Sequence, residues 1–311
     1  MKVVFLGSSD FAVPSLEALL KKHEVLAVFT QPDRKKGRAL HMAPTPVKEF
    51  ALSKNLEVFG TENINAEIAR LEKFNADIFV VVSFGQKLSR EILSLPKSFC
   101  VNVHASLLPR LRGAGPINWA IINSDSVSGV TVMRMNERMD AGDIILSKSV
   151  EIKDEDDSML LSKKLARAGA QALAEAMDQI ARGKAVFTPQ DEREVTFARK
   201  LNKEDGKINW KNSAGSIYNQ VRGLLPWPCA YAHYQGKFIK ILKTRTLASL
   251  RGTGLEDPGQ IVGIEKGKGI IVAAGKGELL IEQLQPESKK AMPAYDFAIG
   301  HHVKLNDKFE E

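Results

Sequence analysis

Asn102 and His104 are the residues whose types and spacing first suggest chemistry. They sit two apart in the apolar run Cys100-Val-Asn-Val-His104, and residues i and i+2 of a strand point to one face. Asn102 supplies a neutral amide donor, and a histidine titrates near neutrality. The pair suits a reaction in which an oxygen gains negative charge while a proton moves. A carboxylate usually orients such a histidine. Asp140 is the candidate, in the turn Met139-Asp-Ala-Gly-Asp143 that follows the next predicted strand. That turn is expected in the adjacent loop of a parallel sheet. The same residues also fit a satisfied structural histidine and an aspartate that only forms a turn. His41, His233, His301 and His302 lack ligand spacing, and no serine, cysteine or metal constellation offers another mechanism.

The elements that would position this pair follow from hydropathy patterning. Lys2–Leu6 is a short apolar strand ending at Gly7, and Phe11, Ser15, Leu16, Leu19 and Leu20 have helical spacing with Asp10 as the predicted N-cap. Val25–Phe29 follows as a strand. Helices are predicted over Val47–Lys54, Ile64–Lys73 and Arg90–Leu93. Asp77–Phe84 is a continuous apolar strand, as a buried parallel strand requires. Strands over Val130–Met135 and Ile144–Val150 precede a long helix, Ser158–Arg182. Strand, turn, helix and strand in this order predict a parallel α/β sheet, with its ligand site outside the carboxyl ends of the strands. The first turn, Gly7-Ser-Ser-Asp10, lacks G-x-G-x-x-G, which argues against a dinucleotide site.

Beyond residue 183 the pattern changes. A polar, charged stretch reads as a linker. After a helix over Ser213–Arg222 and the turn Pro226-Trp-Pro228, short strands at 230–234, 238–242, 260–264, 269–273 and 278–282 are joined by glycine turns. This predicts a small antiparallel β-barrel. The expected organisation is an α/β catalytic domain over 1–189, a linker over 190–206 and a β-barrel domain over 207–311.

Composition is that of a soluble globular protein: 311 residues, 44% hydrophobic and 26% charged. Cys100 and Cys229 have no metal or disulfide spacing and read as buried thiols. The apolar runs are too short to span a bilayer, and the first strand starts at once, so no membrane association and a cytoplasmic location are expected. Net charge is +7. That excess favours a polyanionic partner and also fits a basic solvated surface. Arg34, Lys35, Lys36 and Arg38 put four cations in five residues of a Pro- and Gly-marked loop after the second strand, a candidate phosphate grip.

The stretch Asn102-Val-His-Ala-Ser-Leu-Leu-Pro-Arg-Leu-Arg-Gly-Ala-Gly-Pro116 resembles the signature of the 10-formyltetrahydrofolate-dependent formyltransferases, and Asp140-Ala-Gly-Asp143 is similar to their aspartate turn. Thr30–Arg38, Ala198–Gly206 and Val221–Pro228 are similar to the branch of the family that acts on methionyl-tRNA, so the likeness runs along nearly the whole chain. Leu111 and Gly115 depart from the pattern, which usually has an aromatic and an alanine there. The resemblance implies a Rossmann-like parallel-sheet formyltransferase domain followed by an OB-like β-barrel that binds tRNA. It implies 10-formyltetrahydrofolate as formyl donor, no metal, and methionyl-initiator tRNA as acceptor through its α-amine, for translation initiation. It implies that Asn102 and His104 steady the oxyanion and that Asp140 orients and polarises His104 or takes the amine proton. It further implies that Ser106, Leu107, Leu108 and Pro109 bind the folate and that Arg34, Lys35, Lys36 and Arg38 reach the tRNA. Nothing suggests an obligate oligomer, so a monomer is expected. An amino-sugar nucleotide as acceptor, or an RNA-binding protein without catalysis on the same fold, are the alternatives. The first would not need the basic loop; the second would not need the complete Asn102, His104 and Asp140 set.

Overall fold

The computed structural model describes residues 1–36, 41–247 and 256–310, with the backbone alone for Lys35, Lys36 and His41. The chain divides into two compact units: 1–116 with 127–151 and 161–199, and 117–126 with 152–160 and 200–311. The predicted linker over 190–206 is therefore crossed by a unit boundary. Residues 190–199 pack into the first unit, because their backbone and side chains are hydrogen-bonded to loops of that unit.

The chain runs β1 (Lys2–Gly7), α1 (Val13–Leu20), β2 (Glu24–Thr30), a hairpin of β3 (Arg34–Lys36) and β4 (His41–Ala43), α2 (Pro46–Ser53), β5 (Val58–Gly60), α3 (Ile68–Lys73), β6 (Ile78–Val82), α4 (Arg90–Leu93), β7 (Phe99–His104), α5 (Pro116–Ile122), β8 (Val127–Arg134), β9 (Ile144–Glu151) and α6 (Ser158–Ala181), of which α5 beyond Pro116 and residues 158–160 of α6 belong to the second unit and the rest to the first. The main sheet has the order β5-β2-β1-β6-β7-β8-β9. The strands from β5 to β7 are parallel, and β8 and β9 are added antiparallel. All five side chains of β6 (Ile-Phe-Val-Val-Val) are buried, as a central parallel strand covered on both faces demands. Thr45 caps α2 by accepting from Lys48 N at 3.1 Å, with Pro46 in the first turn where its missing N–H costs nothing. Asp10, predicted to cap α1, instead lies in a 3₁₀ turn, and no side chain caps that helix. The helix predicted over Ile64–Lys73 breaks into a 3₁₀ turn at Ile64–Ala66 and α3.

The second unit continues with α7 (Ala214–Gly223), β10 (Ala230–Tyr234), β11 (Lys237–Thr246), β12 (Ile261–Glu265), β13 (Gly269–Ala273), β14 (Glu278–Pro286), β15 (Met292–Pro293), α8 (Ala294–Gly300) and β16 (Phe309–Glu310). The sheet order is β12-β13-β14-β11-β10-β16. Its two edges meet, since Phe309 N donates to Gly259 O and Ile261 N to Asp307 O. The curled antiparallel sheet thus has no long open edge. Its core holds Ile239, Ile241, Ile270, Val272, Ile281 and Phe309.

Both cysteines are free and buried. Burial pushes the Cys100 thiol up to about 12, so it stays protonated at neutral pH. Among the described residues, no helix is long and apolar enough to cross a membrane.

Candidate active site

Val103 points from β7 toward α6, where a Cβ at Gly169 would lie 3.1 Å from its Cγ1. Asn102 and His104 therefore share the opposite face, at the carboxyl end of β7. His104 is 7% exposed. Its Nε2 lies 2.9 Å from Leu111 O. A carbonyl only accepts, so Nε2 carries a proton, and in the neutral form of the ring the lone pair is on Nδ1. That Nδ1 is 3.7 Å from Asp140 Oδ2. A second proton arriving on Nδ1 would meet the carboxylate at ion-pair distance. Asn102 is half-buried, and among the described residues its side chain has no hydrogen-bond partner. The contact to His104 uses the backbone of Leu111, a residue with φ 57°. It is indifferent to the aromatic side chain that the resemblance would favour there.

Asp140 does not reach His104 through a parallel neighbour. Strand β8 runs antiparallel to β7, pairing His104 with Thr131 and Val101 with Arg134. Residues 135–143 then form a loop that brings Asp140 back to the imidazole. Asp140 has φ 50°, in the left-handed region. Its Oδ2 accepts from Gly113 N at 2.8 Å. Gly113 has φ 117°, and a Cβ there would lie 2.6 Å from Ala198 O, so only glycine fits where the donor meets the carboxylate. Gly142 is likewise pressed onto Arg134, where an added Cβ would fall 1.6 Å from the carbonyl oxygen.

The turn after β7 is held from within. Ser106 is buried, and its hydroxyl donates to Arg110 O at 2.6 Å. Thr131 Oγ1 donates to Ser106 O at 2.8 Å and accepts from Leu108 N at 3.1 Å. Leu107 lies over Gly129, where a Cβ would come within 2.4 Å of its Cδ2. Leu108 is buried, Leu107 and Pro109 are half-buried, and the Leu108–Pro109 bond is cis. Thr131, which holds this turn, was not singled out by the sequence, where its only signal was polarity within a predicted strand.

The predicted phosphate grip is described only in part. Arg34 is exposed, with Nη2 donating to Gln31 Oε1 at 3.3 Å. Lys35 and Lys36 stand on β3, paired with Met42 and His41. Arg38 lies outside the described residues. Among the described residues, no three His, Cys, Asp or Glu side chains form a group that could hold a metal.

Residues 1–177 match the family model described as formyl transferase, and residues 200–302 match formyl transferase, C-terminal domain. A methionyl-tRNA formyltransferase of Agathobacter rectalis is 45% identical over 312 residues, covering 99% of both chains. One from Fusobacterium nucleatum is 40% identical over 310 residues, again covering 99% of both. Among solved structures, the sugar 3N-formyl transferase WlaRD, determined with dTDP and 5-N-formyl-THF, superposes with a TM-score of 0.69 at 20% identity, covering 93% of this chain and 99% of that one. HypX from Aquifex aeolicus in complex with tetrahydrofolic acid gives a TM-score of 0.67 at 17% identity over 99% of this chain. This chain spans about half of HypX's length, 48%. At such identities the two structures speak to fold alone.

Proposed function

This chain belongs to the methionyl-tRNA formyltransferase family, and we propose that Asn102, His104 and Asp140 carry its reaction. The enzyme moves the formyl group of 10-formyltetrahydrofolate to the α-amine of methionyl-initiator tRNA, giving N-formylmethionyl-tRNA and tetrahydrofolate. The folate supplies an activated formyl group. The observation that carries the residue assignment is the ring of His104, held by Leu111 O on one nitrogen and facing Asp140 with the other, beside an amide with no partner among the described residues.

Each group has a separate task. The Asn102 amide donates to the formyl oxygen as that oxygen gains charge. A preorganised donor of this kind is worth about 3–4 kcal/mol. His104 Nδ1 takes the proton that the attacking amine must lose, and the Asp140 carboxylate stabilises the resulting imidazolium. Nδ1 then returns that proton to the departing folate nitrogen as its bond to the formyl carbon breaks. An α-amine has a pKa near ~8 before any lowering by its ester, so little activation is needed and positioning dominates. The turn Ser106–Pro109 is the folate side of the site. Leu107 and Pro109 offer apolar surface to the flat ring, while Ser106 and the buried Leu108 shape the turn. Arg34, Lys35, Lys36 and Arg38 contact phosphates of the acceptor stem, and the barrel domain over 207–311 binds more of the tRNA backbone. A monomer is the proposed working unit, since Asn102, His104 and Asp140 need no residue of a second copy to meet. An aminoacylated tRNA as substrate supports a cytoplasmic location.

The test is a formylation assay with labelled 10-formyltetrahydrofolate and three acceptors: methionyl-initiator tRNA, methionyl-elongator tRNA and an amino-sugar nucleotide. The initiator is expected to be formylated fastest by at least ~10-fold in kcat/KM. Preference for the sugar nucleotide would overturn the acceptor assignment.

A further inference from the structure

The stretch 188–198, which reads as a linker, holds both loops of the site. Ile144 and Thr188 exchange both backbone hydrogen bonds, at 2.8 and 2.9 Å, which ties the strap to the exit of the Asp140 turn. Farther along, Thr196 Oγ1 accepts from Leu111 N at 2.9 Å, and Thr196 O accepts from Arg112 N at 2.9 Å. These bonds fix the loop whose Leu111 carbonyl grips His104. Between the two anchors stands Gln190.

We propose that Gln190 is a positioning residue for formyl transfer, setting the Asp140 turn against His104 through its side-chain carboxamide. The inference rests on the assignment of Asp140 and His104 made above. Gln190 Nε2 donates to Asp140 O at 2.9 Å and to Gly142 O at 2.7 Å. Its Oε1 accepts from Arg112 Nε at 3.0 Å and from Arg112 Nη2 at 2.8 Å. Two donors and two acceptor positions are all that a carboxamide has, and here all four are used. Chemistry also fixes its orientation, since the carbonyls only accept and the guanidinium only donates. The amide nitrogen must face the turn and the oxygen must face Arg112.

The anchor is itself rigid. Arg112 is 3% exposed, and Glu192 accepts from both of its terminal nitrogens, at 3.4 and 3.2 Å. The guanidinium holds the Glu192 carboxyl below the usual carboxylate range, which keeps that clamp charged at neutral pH. Asp140 keeps its left-handed backbone where its surroundings over-determine it. Gly113 N on the carboxylate and Gln190 on the carbonyls supply that determination. Asp140 is fixed at both its side chain and its backbone by residues 27 and 50 positions away in the chain.

Gln190→Glu separates the two halves of the contact. A carboxylate keeps both Arg112 bonds and loses both donations to the turn. In the full-length enzyme, kcat for formylation of methionyl-initiator tRNA is expected to fall about 10- to 100-fold, as for a displaced reacting group. KM for both substrates should stay within ~2-fold, a split that a general loss of structure would not give. On an Asp140→Asn background, Gln190→Glu should add no further loss. A kcat within ~2-fold of wild type for Gln190→Glu overturns the inference, as does an equal loss on both backgrounds. If Asp140→Asn alone keeps near-wild-type kcat, the catalytic assignment fails and the inference fails with it. Should the variant not fold, hydrogen exchange of the Gln190 side-chain amide in the wild-type enzyme decides. Slow exchange is expected, and exchange as fast as in free glutamine contradicts it.

Discussion

Both compact units have an apolar core, but the site of the first and the curled sheet of the second place their polar groups differently. In the first unit the site is a meeting of loops, and its buried polar groups are paired one by one: Ser106 with Arg110, Thr131 with Ser106 and Leu108, Arg112 with Gln190 and Glu192. In the second unit the interior of the curled sheet is aliphatic and aromatic, and its charges ride outside in pairs such as Lys243 and Arg245 on Glu282, or Lys268 on Glu265. The cations of those pairs are about two-thirds exposed, at 66, 68 and 67%. Buried polar pairs are costly to break and directional, so they transmit geometry. Exposed pairs contribute little to stability and answer to salt, so they suit contact with a charged surface. The first unit thus carries a directional polar site, and the second carries exposed charge over an apolar interior.

The largest effect that would sharpen this contrast is in the first unit. His104→Ala should reduce kcat by about 10²- to 10⁴-fold while the Kd for methionyl-tRNA holds near wild type, read by steady-state kinetics and filter binding. A parallel loss of tRNA binding would blur the division. Next, Ile281→Ala in the second unit should lower stability by about 2–5 kcal/mol in urea unfolding, because Ile281 is fully buried. The kcat of the molecules that remain folded should not change. Smaller still, Lys243→Gln with Lys268→Gln should leave kcat alone and make the slope of log Kd for tRNA against log salt shallower, by roughly one for each phosphate no longer neutralised. An unchanged slope would remove that face from the interface.

The smallest effect concerns pH. Tyr234 donates to Asp307 Oδ2 at 2.7 Å, and this bond, with Lys304 N, holds the Asp307 carboxyl below its ordinary range. A lowered folded-state value stabilises the fold above the unfolded-state value and loses that contribution as pH falls through the folded-state one. Tyr234→Phe should therefore be less stable than wild type at neutral pH, and the difference should shrink progressively below pH ~4. A difference that grows on acidification contradicts the assignment.

Legibility in the sequence followed the range of the interactions. Strand β6 shows in its own composition, and Ser213 ahead of α7 caps it by accepting from Ser216 N at 3.1 Å, three residues on. Strand β5 has three residues and β16 two, too few for any period to register, and both exist because a neighbouring strand offers partners. The antiparallel entry of β8 was hidden for another reason, since its eight residues would read alike in either direction. At the site, Asn102 and His104 were visible as an i, i+2 pair, and the role of Asp140 came from resemblance. The route by which Asp140 meets the imidazole was not legible, because its hydrogen bonds come from Gly113 and Gln190 on other loops. The strap over 188–198 looked like a linker since its charged residues pair with distant ones, as Glu192 does with Arg112 and Arg138.

The proposed mechanism needs a carboxylate facing Nδ1 of His104 so that the imidazole can carry the proton of formyl transfer. The decisive measurement is single-turnover formylation by Asp140→Asn with both substrates saturating. The expected rate constant is at least ~100-fold below wild type with both substrates still bound. A rate constant near that of wild type would contradict it.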